Sequence, residues 1–440
     1  MVVLLGLLGA GLTGCGGAGA DTAGPAAGEL YVEPGAIVHA VEVVLPEAGD
    51  AARIVCDGPE QHVIEATGSR IVVPGLLADT TYACTAEVDG VVSEAFTVHT
   101  APLPAPLRKF ELVLETPAHP SVTPGYTLFN VIEEGADFQY AVAVDMQGRL
   151  RWYHRVEGAQ GTVTVDYDPA RNRILVGGGR EDETVEPHLV RPDGGLDAVV
   201  PVDLPHHDLQ VFGDGIYVLT YDGGGGICVE EHALDLGGER WRWCIPDQSE
   251  LPELTNASGN SVFVRDEAGG TMVYVMLSGK STALKIDRAR GELVWRWGPD
   301  GDFGPEDLFA EWNHDLTVAD CGDDVCLQFY DNGVEARQSQ AVRLRLDEAT
   351  GMATMERSWT EPGWYEPRWG GLHVLPEDHW LIGVGHLESV QPDSNPSALI
   401  EVDGAGEEVW RVGLLPENYA LYRARRVEGC ALFGISSACL

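Results

Sequence analysis

The chain has 440 residues, 44% of them hydrophobic, with 28 basic against 69 acidic side chains and a formal net charge of −41. So acidic a surface repels nucleic acid and anionic lipid head groups, which excludes a nucleic-acid partner. The length exceeds one ordinary core and predicts two domains, or one domain with a large closed architecture.

In chain order, residues 1–15 read as an export signal. Met1 to Gly14 is apolar, rich in small residues and too short to span a bilayer as a stable helix. It ends in Leu12-Thr13-Gly14-Cys15, which resembles the bacterial lipobox. That resemblance implies acylation of Cys15 and a lipoprotein on the periplasmic face or cell surface of the outer membrane. Residues 16–29 are a Gly/Ala-rich, flexible tether. The eight remaining cysteines fall as near neighbours: Cys56 and Cys84, Cys228 and Cys244, Cys321 and Cys326, Cys430 and Cys439. An even set in an exported chain reads as disulfides, with the pairing suggested by proximity alone. Zinc is the weaker reading, because no Cys-x-x-Cys pair has matched histidine spacing.

Residues 30–101 predict a small β-sandwich, with β-branched or alternating runs at Ala36–Leu45, Arg53–Cys56, Arg70–Val73, Thr81–Val88 and Ser93–Thr100. Val73-Pro74-Gly75-Leu76 followed by Thr80-Thr81-Tyr82 resembles the loop and tyrosine strand of fibronectin type III and related immunoglobulin-like domains. Residues 102–107, Pro-Leu-Pro-Ala-Pro-Leu, form a stiff linker.

Residues 108–440 repeat. A strand, an Asp/Gly turn and a strand ending in an aromatic or branched residue recur at Asp145, Asp193, Asp235, Asp287, Asp347 and Asp403. Intervals of roughly 40–60 residues built from strands predict propeller blades, and six copies predict six of them. The expected fold is therefore all-β: a six-bladed β-propeller preceded by a small sandwich.

His206-His207-Asp208-Leu209 and Asn313-His314-Asp315-Leu316 stand about two repeats apart. Inner strands line a propeller's channel, so histidines at equivalent positions project toward one axis and can meet in one cleft. Further candidates are Asn332, in the turn signal Asp331-Asn332-Gly333, with Arg337 after it. His373 follows Leu372, and His386 follows Gly383-Val384-Gly385, where glycines leave room for a ligand.

These segments, with Phe329–Gly333 and Tyr422-Arg423-Ala424-Arg425 near the chain end, resemble the bacterial arylsulfate sulfotransferases. That family comprises exported six-bladed propellers with a preceding β-sandwich. The resemblance implies transfer of a sulfuryl group from a phenolic sulfate ester to a phenolic acceptor, independent of a nucleotide sulfate donor. It casts His386 as the nucleophile, with His373 the alternative, and His207, His314 and Arg337 as residues around the sulfate; Asn332 and His373 are candidate substrate contacts. The segment from His314 to His386 is shorter than in the family.

The chemistry is coherent. A neutral histidine can take the group and split one transfer into two. Fixed donors and an arginine stabilise charge on the leaving phenoxide. No cofactor is required, and Gly223–Gly226 lacks the lysine of a phosphate-cradling loop. Other readings are a non-catalytic lipid-anchored propeller binding a partner protein or glycan, a quinone-dependent dehydrogenase, and a metalloenzyme built on the same histidines with Asp208 and Asp315.

Overall fold

A computed structural model describes residues 30–158, 163–180, 183–221, 226–235, 237–245, 254, 258–305, 312–385 and 396–436. Apart from short 3₁₀ turns, the regular structure among them is antiparallel strand. Residues 1–29, with Cys15, lie outside the described residues, as do His386 and Cys439.

Strands between Tyr31 and His99 belong to one seven-stranded sheet. Arg53–Cys56 is not the separate strand expected from the sequence. It is the second half of Val41–Asp57, which pairs with Gln61–Val73 throughout. The stretch from Pro46 to Asp50, which reads as a break, is absorbed as register shifts between Val44 and Ala52. Most of that stretch is exposed, so water serves the unpaired backbone groups. On its other edge the long strand pairs first with Tyr31–Pro34 and then with Thr81–Val88. Alternate residues from both halves, including Val43 and Ile54, thus share one core with Tyr82 and Val98 of neighbouring strands. Cys56 and Cys84 are bridged within it.

Among the described residues the remaining strands form six antiparallel sheets, numbered 1 to 6 in chain order. Their axial strands are Ala424–Glu428 in sheet 1, Val163–Asp168 in sheet 2 and Pro205–Phe212 in sheet 3. Sheets 4 to 6 supply Gly259–Glu267, Asn313–Cys321 and Gly371–Val374. Each axial strand packs on the next, and that of sheet 6 packs on that of sheet 1. The sheets therefore close a ring, the arrangement of a β-propeller.

Closure uses both ends of the chain. Sheet 1 takes Gly125–Glu133, Phe138–Val144 and Leu150–Glu157 from early sequence, but its axial strand from residues 424–428. Sheet 6 gains Glu111–Thr116 on its outer edge. Ile435–Ser436 then pairs with His62 and Val63 of the N-terminal sheet. The division at residues 102–107 is thus crossed by the chain's last strand.

The six repeated aspartates all stand where the third strand of a sheet passes to the fourth, Asp287 and Asp347 as the last residue of the third strand and the other four in the turn. Asp145 Oδ1 accepts the N–H groups of Gln147 and Arg149, and Asp403 Oδ1 those of Ala405 and Glu407. These carboxylates replace ladder partners the turn removes. Tryptophans of the outer strands then clasp the next turn. Trp152 Nε1 donates to Arg191 O, Trp359 Nε1 to Gly406 O, and Trp410 Nε1 to Met146 O across the ring closure.

Candidate functional site in the central channel

The His-Asp repeat divides its labour. Asp208 Oδ2 accepts Val262 N–H at 2.9 Å, Ser261 Oγ accepts Leu316 N–H at 2.9 Å, and Asp315 Oδ2 accepts Leu372 N–H at 2.9 Å. Each bond ties an axial strand to the next sheet. Gly371 permits the last of them, since a Cβ there would stand 2.6 Å from Asp315 Oδ2. The aspartates of the two motifs are therefore latches between sheets. Among the described residues no group of three or more His, Cys, Asp or Glu is arranged to hold a metal ion.

The residues just before the latches, His207, Asn260 and His314, share one rung of the channel. Tyr422 joins them from sheet 1. The His207 and His314 rings lie 6.3 and 5.9 Å from the Tyr422 ring, both edge-on, and Asn260 Nδ2 donates to Tyr422 Oη at 3.0 Å. The two histidines expected to meet in one cleft thus flank one tyrosine. Backbone strain marks the same rung: His207, Trp312 and Asp315 all have positive φ, at 47°, 60° and 59°. Each non-glycine residue in that region costs on the order of 1–3 kcal/mol, a cost that concentrates at functional sites.

His314 is held most completely. Its Nδ1 lies 2.6 Å from Asn332 Oδ1 and 3.0 Å from Trp312 O. Burial, with the Arg423 guanidinium beside it, pulls its pKa to about 4, so the ring is neutral at pH 7. His207 Nδ1 stands 2.9 Å from His206 Nδ1, and His206 Nε2 stands 3.1 Å from Tyr221 Oη.

Below this rung the axis is filled by charge. Arg423 Nη1 lies 2.8 Å from Asp208 Oδ1, and its Nη2 donates to Tyr422 Oη at 2.9 Å. Arg425 donates through both terminal nitrogens to the Asp315 carboxylate, at 2.8 and 2.5 Å. Burial alone would raise the Asp315 pKa, but Arg425 and Arg423 hold it below the usual carboxylate range. Asp166, whose Oδ2 accepts Val211 N–H, is pushed up by desolvation to about 6. Burial raises Tyr422 to about 12.

The other expected site residues fall differently. Asn332 is buried and turned toward protein: its Nδ2 donates to Glu366 O at 2.6 Å and Trp369 O at 3.0 Å. Its Oδ1 faces His314 Nδ1. His373 Nδ1 accepts Arg426 N–H at 2.9 Å, a latch like those of the aspartates, and desolvation with Arg425 nearby draws its pKa to about 3. Arg337 sits on an exposed turn with its guanidinium 4.6 Å over the Tyr365 ring. The guanidiniums on the axis are those of Arg423 and Arg425. His386 lies outside the described residues; Gly385, just before it, packs against Trp369 and the Leu421 carbonyl. Of the cysteines, Cys228–Cys244 and Cys321–Cys326 are bridged like Cys56–Cys84, and Cys430 is disulfide-bonded.

Sequence reading passed over Asn260, Tyr422 and the two axial arginines as site residues. The available signal was the run Tyr422-Arg423-Ala424-Arg425-Arg426, which carries three arginines up to and into the axial strand Ala424–Glu428. Charge inside a buried strand calls for partners.

The chain is an all-β protein whose sheets close as a propeller around an axis of imidazole, phenol and paired charge. No family model matches the chain, and no curated protein matches it. Solved structures similar to it include a protein of unknown function from Bacteroides caccae, at 14% identity over 72% of this chain and 97% of that one, with TM-score 0.46. The Pseudomonas aeruginosa periplasmic gluconolactonase PpgL is 14% identical over 86% and 99% of the two chains, with TM-score 0.44. An auxiliary nutrient binding protein from Bacteroides thetaiotaomicron is 8% identical over 87% and 96%, with TM-score 0.37. Similarity at these levels carries no argument about activity.

Proposed function

We propose that the chain is an exported lipoprotein with a fibronectin-like β-sandwich docked on a six-bladed propeller, and that the propeller's channel moves a sulfuryl group from an aryl sulfate to a phenol. The observation that carries this reading is the convergence of His207 and His314 on Tyr422, with Arg423 and Arg425 directly beneath. One imidazole attacks sulfur, the aryl C–O bond stays intact, and the S–O bond to the aryl oxygen breaks. Phenoxide leaves with its electron pair and is protonated from solvent or a neighbouring imidazole. The acceptor phenol then loses its proton and attacks the sulfur of the N-sulfo group, returning the electron pair to the ring nitrogen. The resemblance casts His386 as the attacking residue, and Arg337 at the exposed turn as a contact for the anionic donor. The disulfides agree with an oxidising compartment.

A second reading is favoured by one observation. Asp208 and Asp315 neutralise Arg423 and Arg425, leaving the axis without surplus positive charge. Such an axis suits a neutral ligand, as in a propeller that binds a glycan or partner protein. One assay separates the two. Purified protein is given nitrophenyl sulfate with and without a second phenol, in chelator. Sustained nitrophenol release that requires the acceptor and survives the chelator is the expected result. Release sustained by water alone points to a sulfatase, loss in chelator to a metalloenzyme, and no release with any aryl sulfate to the binding module.

A further inference from the structure

We infer that His314 is the nucleophile of the channel and that Asn332 is the positioning residue that makes it one, by fixing the proton on Nδ1 and leaving Nε2 as a lone pair. This rests on the transfer reading above for its chemistry, but its geometry stands alone. The amide nitrogen of Asn332 faces two carbonyl oxygens, those of Glu366 and Trp369. A carbonyl can only accept, so the amide cannot be turned the other way. Its Oδ1 must therefore face His314 Nδ1, which it does at 2.6 Å. The second neighbour of Nδ1 is the Trp312 carbonyl at 3.0 Å, also only an acceptor. Two acceptors on one ring nitrogen demand an N–H there, and a neutral imidazole then keeps its lone pair on the other nitrogen.

The surroundings maintain that state. Asn332 and His314 are both buried, and Ser339 Oγ donates to the Asn332 carbonyl at 2.8 Å, holding the loop. His314 stands between residues at positive φ, and the Trp312 carbonyl that meets Nδ1 belongs to one of them. Arg423 and burial oppose a second proton on the ring. When Nε2 bonds to sulfur, the ring becomes cationic while keeping its Nδ1–H. That proton is then shared with two oxygens already in place, which stabilises the N-sulfo state without rearrangement.

The test uses ¹⁵N-histidine-labelled full chain, with His314→Gln identifying the His314 signals. At pH 7 the wild type should show His314 as a neutral ring protonated on Nδ1, with unprotonated Nε2. Asn332→Leu should allow the Nε2–H form to appear, and Asn332→Asp should move the His314 midpoint up from about 4 by roughly a pH unit or more. Neither reading uses an aryl sulfate, so a failure of the transfer reaction leaves them standing. A wild-type ring protonated on Nε2 overturns the inference even if both variants misfold. Peptide mass mapping after nitrophenyl sulfate treatment gives the second measurement. A sulfuryl group on His314 supports the assignment, whereas one on His386 retains the transfer and overturns it.

Discussion

At the residue scale, the His-Asp motifs show how one repeated pair serves two purposes. The histidine of each pair faces the channel, while the aspartate grips the backbone of the next sheet. Repetition in the sequence picked out His207 and His314, because equivalent positions on axial strands must face one axis. It could not separate the roles of the two neighbours, since alternation along an edge depends on bulges between Pro205 and Leu209 and between His314 and Thr317. Nor could it show that the Nδ1 lone pair of His373 is taken by the backbone N–H of Arg426. Asp315 offers the clearest residue-level test. Replacing it with Ala strips a fully buried partner from Arg425 and the acceptor from Leu372 N–H, and should cost about 3–5 kcal/mol. Asp315→Asn keeps an acceptor for that N–H and should cost less. Denaturant unfolding of the two variants checks the order, and equal losses would show that the backbone latch contributes nothing.

At the element scale, the turn between third and fourth strands was the most legible unit. Its aspartate and glycine act locally, through bonds two to four residues away, so the sequence carries the signal in full. The outer-strand tryptophans were legible as markers but not as clasps, because their partners lie in the next sheet. Trp410 joins sheet 6 to Met146 of sheet 1, and its indole ring is also fully buried. Trp410→Phe removes the hydrogen bond and leaves much of the packing, predicting a loss of about 1 kcal/mol. Trp410→Ala also opens a cavity and should cost about 3–5 kcal/mol. Thermal or denaturant unfolding separates them. The N-terminal ribbon was misread for the opposite reason: Pro46 and Gly49 are local turn signals that long-range pairing of Val41–Asp57 overrides.

At the scale of the whole molecule, the closed ring and the docked N-terminal sheet depend on buried ionisable groups. Arg151, fully buried, donates to Asp145 at 2.5 Å and to Gly75 O at 3.1 Å, and pairs with Glu60 across the junction. Acid should undo the fold in a defined order. His39, His154 and His314 lie near 4 and His373 near 3, each chiefly through desolvation, against 6.5 unfolded. Between about pH 6.5 and 4 the unfolded chain therefore binds protons that the fold excludes, and stability falls with pH. Asp166, raised to about 6, and Asp208, also raised, act in the opposite sense, because the fold takes their protons first. Burial lowers His62 and His188 as well, and six imidazoles against two carboxyls predict a lower Tm at pH 5 than at pH 7. Burial works against the Glu60 charge, but hydrogen bonds from His62 and Arg151 bring its pKa to about 2, so its contribution is lost only as pH falls from 4.5 toward 2. A Tm that rises from pH 7 to pH 5 would mean that the histidines are not held neutral.

Whether a channel imidazole carries the transferred group is read directly by a rapid-mixing experiment without acceptor. Nitrophenyl sulfate mixed with the full-length protein should release a burst of about one nitrophenol per chain and then stop. Adding a second phenol should restart release. Steady release with no burst and no need for an acceptor would contradict a group held on the protein.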